Sequence, residues 1–317
     1  MDRLRHPDPR LVLALCLACA MLVPAAQAYQ IEPDFYTLTE DYVSPHTPWA
    51  KPYGAGPIRA LFIVPRGTAR EVIEVAQRLQ MDYEVVMTLS DTELGWTGAS
   101  SHYALAEGIS YEEMAAQLRD ALAQDWDVIV TGRITWDMFP REALYEIMRK
   151  VHEGTGLVHS YSAFGRNKYV DLLFAKPEVE DDYVAMGVPW RALPVWRDLG
   201  IDEVLELRQF GEGRMALLDH GPSLPRFMFL TPRPGDTDWS YRELHYDYYL
   251  SLAVRAIVWA ARKDLQVRFA AIGVGADSVA RADLPQTRLT AQLVGPAPGL
   301  AADVLVRDED GRRCLSE

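Results

Sequence analysis

Residues 58–64, Ile-Arg-Ala-Leu-Phe-Ile-Val, form an apolar run broken only by Arg59. A run without polar alternation suits a strand buried on both faces, and such a strand has to be covered from two sides. The pattern then changes period. Ala69, Val72, Ile73, Ala76 and Leu79 recur at helical spacing, with Thr68 placed to cap and Arg70, Glu71 and Glu74 expected on the outer face. The alternation continues with a second strand over 83–89 and a long loop over 90–110, rich in glycine, serine and threonine. Ser110 then caps a helix that carries Met114, Leu118 and Leu122. A third strand over 126–131 precedes a helix started by Pro140, with Leu144, Ile147, Met148 and Val151 on one face. Gly154 and Gly156 end that helix before a fourth strand over 157–161. Strands and helices alternating in this way imply a parallel sheet with helices on both faces, because crossovers are right-handed. The expected fold class is therefore α/β, a doubly wound three-layer sandwich with a mostly parallel, flavodoxin-like sheet.

Two further pieces complete that domain. Residues 204–208 and 214–218 flank Gly211-Glu212-Gly213 as a hairpin. Residues 241–262 form one long helix with Tyr249, Leu252, Ala253, Ala256, Ile257 and Ala260 turned inward. Beyond Asp264 the character shifts to short strands, at 267–272, 288–294 and 303–307, separated by glycine, proline and acidic turns. These are expected to be the first strands of an Ig-like β-sandwich, with the rest of that domain in a longer protein. The domain limits are thus 58–264 for the α/β unit and 265–317 for the sandwich. An extended lead-in over 29–57 precedes them, interrupted by Pro45, Pro48, Pro52 and Pro57.

Residues 1–28 have their own logic. Arg3, Arg5 and Arg10 precede an apolar run over 11–23 and then Ala26-Gln27-Ala28, the pattern of a secretory signal peptide cleaved after Ala28. The apolar run is shorter than the roughly 20 residues that span a bilayer. Cys16 and Cys19 would leave with the leader, so Cys314 alone could form no intrachain disulfide. The expected location is secreted or periplasmic. A net charge of −13 with scattered lysine and arginine argues against a nucleic-acid partner.

Five segments together resemble the class I glutamine amidotransferase-like superfamily over about residues 57–264. They are the first strand, Asp127-Val128-Ile129-Val130, Glu153-Gly154-Thr155-Gly156-Leu157-Val158, the Gly211-x-Gly213-Arg214 hairpin, and Leu252-x-x-Arg255-Ala256-Ile257-x-Trp259-Ala260-Ala261. The trehalose-utilisation and β-galactosidase-trimerisation branches are the most similar. The resemblance implies a cysteine nucleophile after the fourth strand and a later histidine followed by glutamate. Here the nucleophile position falls near Tyr161, between Ser160 and Ser162, and His220 is followed by Gly221-Pro222. The trimerisation-type relatives, which lack the chemistry, match this pattern better and imply a pseudoenzyme.

The residues leave two kinds of site open. Ser162, His220 and Glu243 are the best set for a serine hydrolase, although no Gly-x-Ser-x-Gly elbow surrounds the serine. Trp96, His102, Trp136, Tyr161 and Arg166 are expected at the carboxyl edge of the sheet, where doubly wound folds bind ligands, and suit a saccharide or other small polar ligand. His159, among apolar neighbours, reads as a core histidine. His245 with Glu243 and Asp247 has the wrong spacing for one helical face, so no metal is expected. Val64-Pro65-Arg66-Gly67-Thr68 has a single glycine and is no phosphate cradle, and no cofactor is expected. The resulting expectation is a secreted, carbohydrate-related binding or assembly module whose partners are a small ligand, C-terminal domains of the same protein, or further copies of itself. The alternative is a serine hydrolase or a trehalose-utilisation-type sugar enzyme. The exported protein should begin at Tyr29, which N-terminal sequencing will check; a product retaining residues 1–28 would contradict the leader reading.

Overall fold

The computed structural model describes residues 40–41, 43–44, 46, 56–65, 68–88, 111–132, 134, 136, 139–161, 168–185, 201–219, 230–231, 240–263, 268–274, 288–294, 305–307 and 313–316. The apolar run at 58–64 is the second strand of a six-stranded sheet ordered β2-β1-β3-β4-β6-β5. Strands β1 (Ile58–Pro65), β2 (Met81–Thr88), β3 (Val128–Gly132), β4 (Gly156–Tyr161) and β6 (Gly213–Asp219) pair in parallel. Strand β5 (Leu205–Phe210) pairs antiparallel with β6 through the Gly211-Glu212 turn, as the hairpin pattern predicts.

Helices lie on both faces, which satisfies the two-sided burial of the central strands. Ala60, Phe62, Val64, Val128, Val130 and Val158 pack with Val72 and Val75 of helix α1 (Ala69–Arg78) in one cluster. The same cluster takes in α6 (Ser240–Ala260). On the opposite face Leu61, Ile63, Ile129 and Leu157 pack with α2 (Tyr111–Leu122) and α3 (Arg141–Glu153). Two short helices, α4 (Lys168–Phe174) and α5 (Ile201–Val204), complete the described helices of this region. Among the described residues no helix is long and apolar enough to cross a membrane.

Three local expectations need correction. Glu71 and Glu74 of α1 are buried, not outward. Glu71 accepts hydrogen bonds from the Leu230 amide (2.7 Å) and the Thr231 hydroxyl (2.5 Å), so a segment that periodicity could not see covers that side. Glu74 takes the fully buried Arg78 guanidinium at 2.8 Å, and Arg78 also bonds Asp247 of α6 at 2.7 Å. Burial pushes the Glu74 carboxyl up, but hydrogen bonds from Ser44, Arg78 and Arg70 outweigh it and hold it below the ordinary value. Second, Thr68 occupies the N-cap position of α1 without a side-chain capping hydrogen bond. Third, α6 is buried beyond its predicted inner face. Leu250, Val254, Val258 and Trp259 are also buried, and the chain near residues 181–184 meets the helix at Trp259. There Trp259 Nε1 donates to Asp181 (2.8 Å) and Val184 joins the cluster.

The glycines near β4 serve different purposes. Gly154 ends α3 at φ 125°, a left-handed region that favours glycine. Gly156 instead opens β4, and a Cβ there would lie 2.3 Å from the Ala260 carbonyl oxygen at the end of α6. After α6, β7 (Arg268–Val274) pairs antiparallel with β8 (Leu289–Val294). Likewise β9 (Leu305–Arg307) pairs with β10 (Arg313–Ser316), a strand too short and polar to show in the sequence pattern. Gly156→Ala should lower unfolding free energy by roughly 2–4 kcal/mol, because neither the backbone of α6 nor that of β4 can yield cheaply. Urea denaturation measures this, and an unchanged midpoint would contradict the close packing.

Candidate functional site

The chain leaves β1 for β2 on one side of the sheet and returns through α2 to β3 on the other, so the strand order reverses between β1 and β3. In open α/β sheets that reversal opens a crevice outside the carboxyl ends of the strands. Register fixes which residues stand together there. Thr131 pairs with His159, Gly132 with Ser160, and Tyr161 with Asp219.

His159 is the centre of the described part of this edge. It alternates with Leu157 onto the α2/α3 face, is 0% exposed, and its Nδ1 lies 2.8 Å from the Thr131 hydroxyl. The Trp136 ring meets the imidazole edge-to-face at 5.4 Å and 74°, and the Phe139 ring lies tilted against Trp136 at 6.2 Å. Burial pushes the imidazole down from 6.5 to about 3, and a hydrogen bond with Thr131 opposes this only in part. The ring is therefore neutral at every physiological pH. This matches the reading of His159 as a core histidine. Ser160 faces the opposite side of the sheet and is fully buried. Ser160 Oγ and Trp136 Nε1 have no hydrogen-bond partner among the described residues. Buried polar atoms are nearly always satisfied by protein, water or ligand, so these two are open to a partner other than the described side chains.

The structure places the predicted residues unevenly. Trp136, expected among the ligand-binding residues of the edge, is 1% exposed and built into the core beneath it. Tyr161 is the last residue of β4, and Glu243 lies in the first turn of α6. Ser162 and His220 follow the register partners Tyr161 and Asp219 in sequence but themselves lie outside the described residues, as do Trp96, His102 and Arg166. Thr131 was missed. A lone threonine ending an otherwise apolar strand, one strand away from a histidine, was the available signal. Among the described residues no group of three or more His, Cys, Asp and Glu side chains is arranged to hold a metal ion.

Comparison with known proteins adds no assignment: no family model matches the chain, and no curated protein matches it.

The neutral imidazole makes a testable demand on pH. Its proton affinity is lower folded than unfolded, so the unfolded chain binds more protons as pH falls below about 6.5, the ordinary value. The stability that neutral His159 supplies is complete above that pH and is lost progressively toward about 3. The loss should be on the order of 1 kcal/mol per pH unit. Urea midpoints between pH 7 and 5 should fall more steeply for the wild type than for His159→Gln; equal slopes would mean that the imidazole titrates normally.

Proposed function

We propose that this chain is an exported, non-catalytic amidotransferase-like module that binds a small polar ligand, most simply a saccharide, at the carboxyl edge of its sheet. One observation carries the reading. At the point where a relative with chemistry would present a thiol, β4 ends in Tyr161, preceded by a buried hydroxyl at Ser160 and a buried neutral imidazole at His159. A tyrosine at a strand end suits sugar hydroxyls and their apolar faces. The parallel strands in the order β2-β1-β3-β4-β6 support a flavodoxin-like assignment, with β5 added antiparallel at the edge. The two antiparallel pairs after α6 support the opening of a β-sandwich that would link this unit to further domains, or to copies of itself, during assembly. The leader-like residues 1–28 support export.

A serine hydrolase is the second reading, favoured by register: Ser162 and His220 each come next in sequence after the paired residues Tyr161 and Asp219. Isothermal titration of the mature chain with trehalose and with β-linked disaccharides separates the two readings. The module reading expects saturable binding worth about 4–6 kcal/mol, in the millimolar to tens-of-micromolar range, with the sugar recovered intact. No heat with any saccharide would contradict it. Turnover of disaccharides or p-nitrophenyl esters that is abolished by Ser162→Ala or His220→Ala would establish the hydrolase instead.

A further inference from the structure

We propose that His159 is the positioning residue of the carboxyl edge, holding the Trp136 turn against the end of β4 through its contacts with Thr131 and Trp136. This rests on the ligand-binding reading above and names the residue that would give the edge its shape.

The geometry allows few other roles. A side chain with no solvent exposure cannot touch a ligand that arrives from water, and a neutral ring buried in the α2/α3 face offers no charge. Among its contacts are directional ones to two different elements. Its Nδ1 meets the Thr131 hydroxyl at 2.8 Å on the neighbouring strand, and the ring lies T-shaped to the Trp136 indole, centroids 5.4 Å apart, beyond the end of that strand. Leucine would fill the same space without direction. A hydrogen bond in a dry interior fixes the rotation of the ring, and the rotation fixes where Trp136 sits. The Phe139 amide bonds the Trp136 carbonyl at 3.3 Å, so the backbone at Trp136 is tied to Phe139. Ser160 and Tyr161 follow His159 directly in β4, so the same backbone that carries the ring carries the end of the strand. The ring is thus the joint between two segments that border the crevice.

The experiment uses the mature chain and three variants: Thr131→Val, which removes only the hydroxyl; His159→Asn, which keeps a hydrogen-bonding group near the Nδ1 position; and His159→Leu, which keeps bulk alone. Two signals are read: the indole N–H resonance of Trp136, identified by its loss in Trp136→Phe, and the trehalose dissociation constant. Thr131→Val and His159→Leu should shift the indole resonance and weaken trehalose binding at least fivefold, and His159→Asn should recover more than half of that loss. An indole resonance unmoved in Thr131→Val, or affinity unchanged in a folded variant whose resonance has moved, overturns the proposal. Thr131→Val is nearly isosteric, so the test survives a failure of His159→Leu to fold. If the wild type binds no trehalose, the ligand reading fails for that sugar, while the indole resonance of Thr131→Val alone still decides whether His159 holds the turn.

Discussion

Two-sided burial of β1, β3 and β4 is the constraint from which the rest follows. Ile58, Ala60, Leu61, Phe62, Ile63 and Val64 are all fully buried, so neither face of β1 can be left to solvent. At about 25 cal/mol per Å² of apolar surface, each of the larger side chains is worth roughly 1.5–3 kcal/mol, and the set as a whole only if both helix layers are in place. That requirement brings α1 and α6 to one face and α2 and α3 to the other. It also leaves the described faces of the central strands to apolar packing, so polar groups gather toward the strand ends. The candidate site sits at the carboxyl edge because the faces are spoken for.

Much of this was legible from periodicity alone. Continuous apolar runs marked the central strands, and the hairpin around Gly211-Glu212 emerged as predicted. Long-range cover was not legible. Nothing in the spacing of α1 announces that Glu71 meets the chain at Leu230 and Thr231, or that Arg78 is buried against Asp247, since those partners lie some 160 residues away along the chain. The same reason hides the outer cover of α6 by Asp181 and Val184. A helical pattern reports one amphipathic face and goes silent when the second face is covered by an irregular segment. At the site, His159 was readable as a core residue from its apolar neighbours. Its pairing with Thr131 depends on a parallel register that no local pattern encodes.

Burial sets different tasks for successive residues of one strand. In β4, Gly156 admits the end of α6, Leu157 and Val158 fill opposite faces, His159 ties to β3, and Tyr161 ends the strand. Small adjustments in the inner residues would therefore be felt at the end of the strand, because close-packed interiors transmit displacement rather than absorb it. The ion network Glu74–Arg78–Asp247 holds α1 to α6 on the other face, and its removal would leave a buried charge uncompensated.

The most direct test of binding at the carboxyl edge is amide chemical-shift mapping of the mature chain during titration with trehalose. Binding at that edge predicts that the perturbed amides cluster at Val64, Thr88, Thr131, Gly132, Ser160 and Tyr161, which end neighbouring parallel strands. Perturbations gathered instead at Asp127, Gly156 and Met215, near the opposite ends of the same strands, would contradict it.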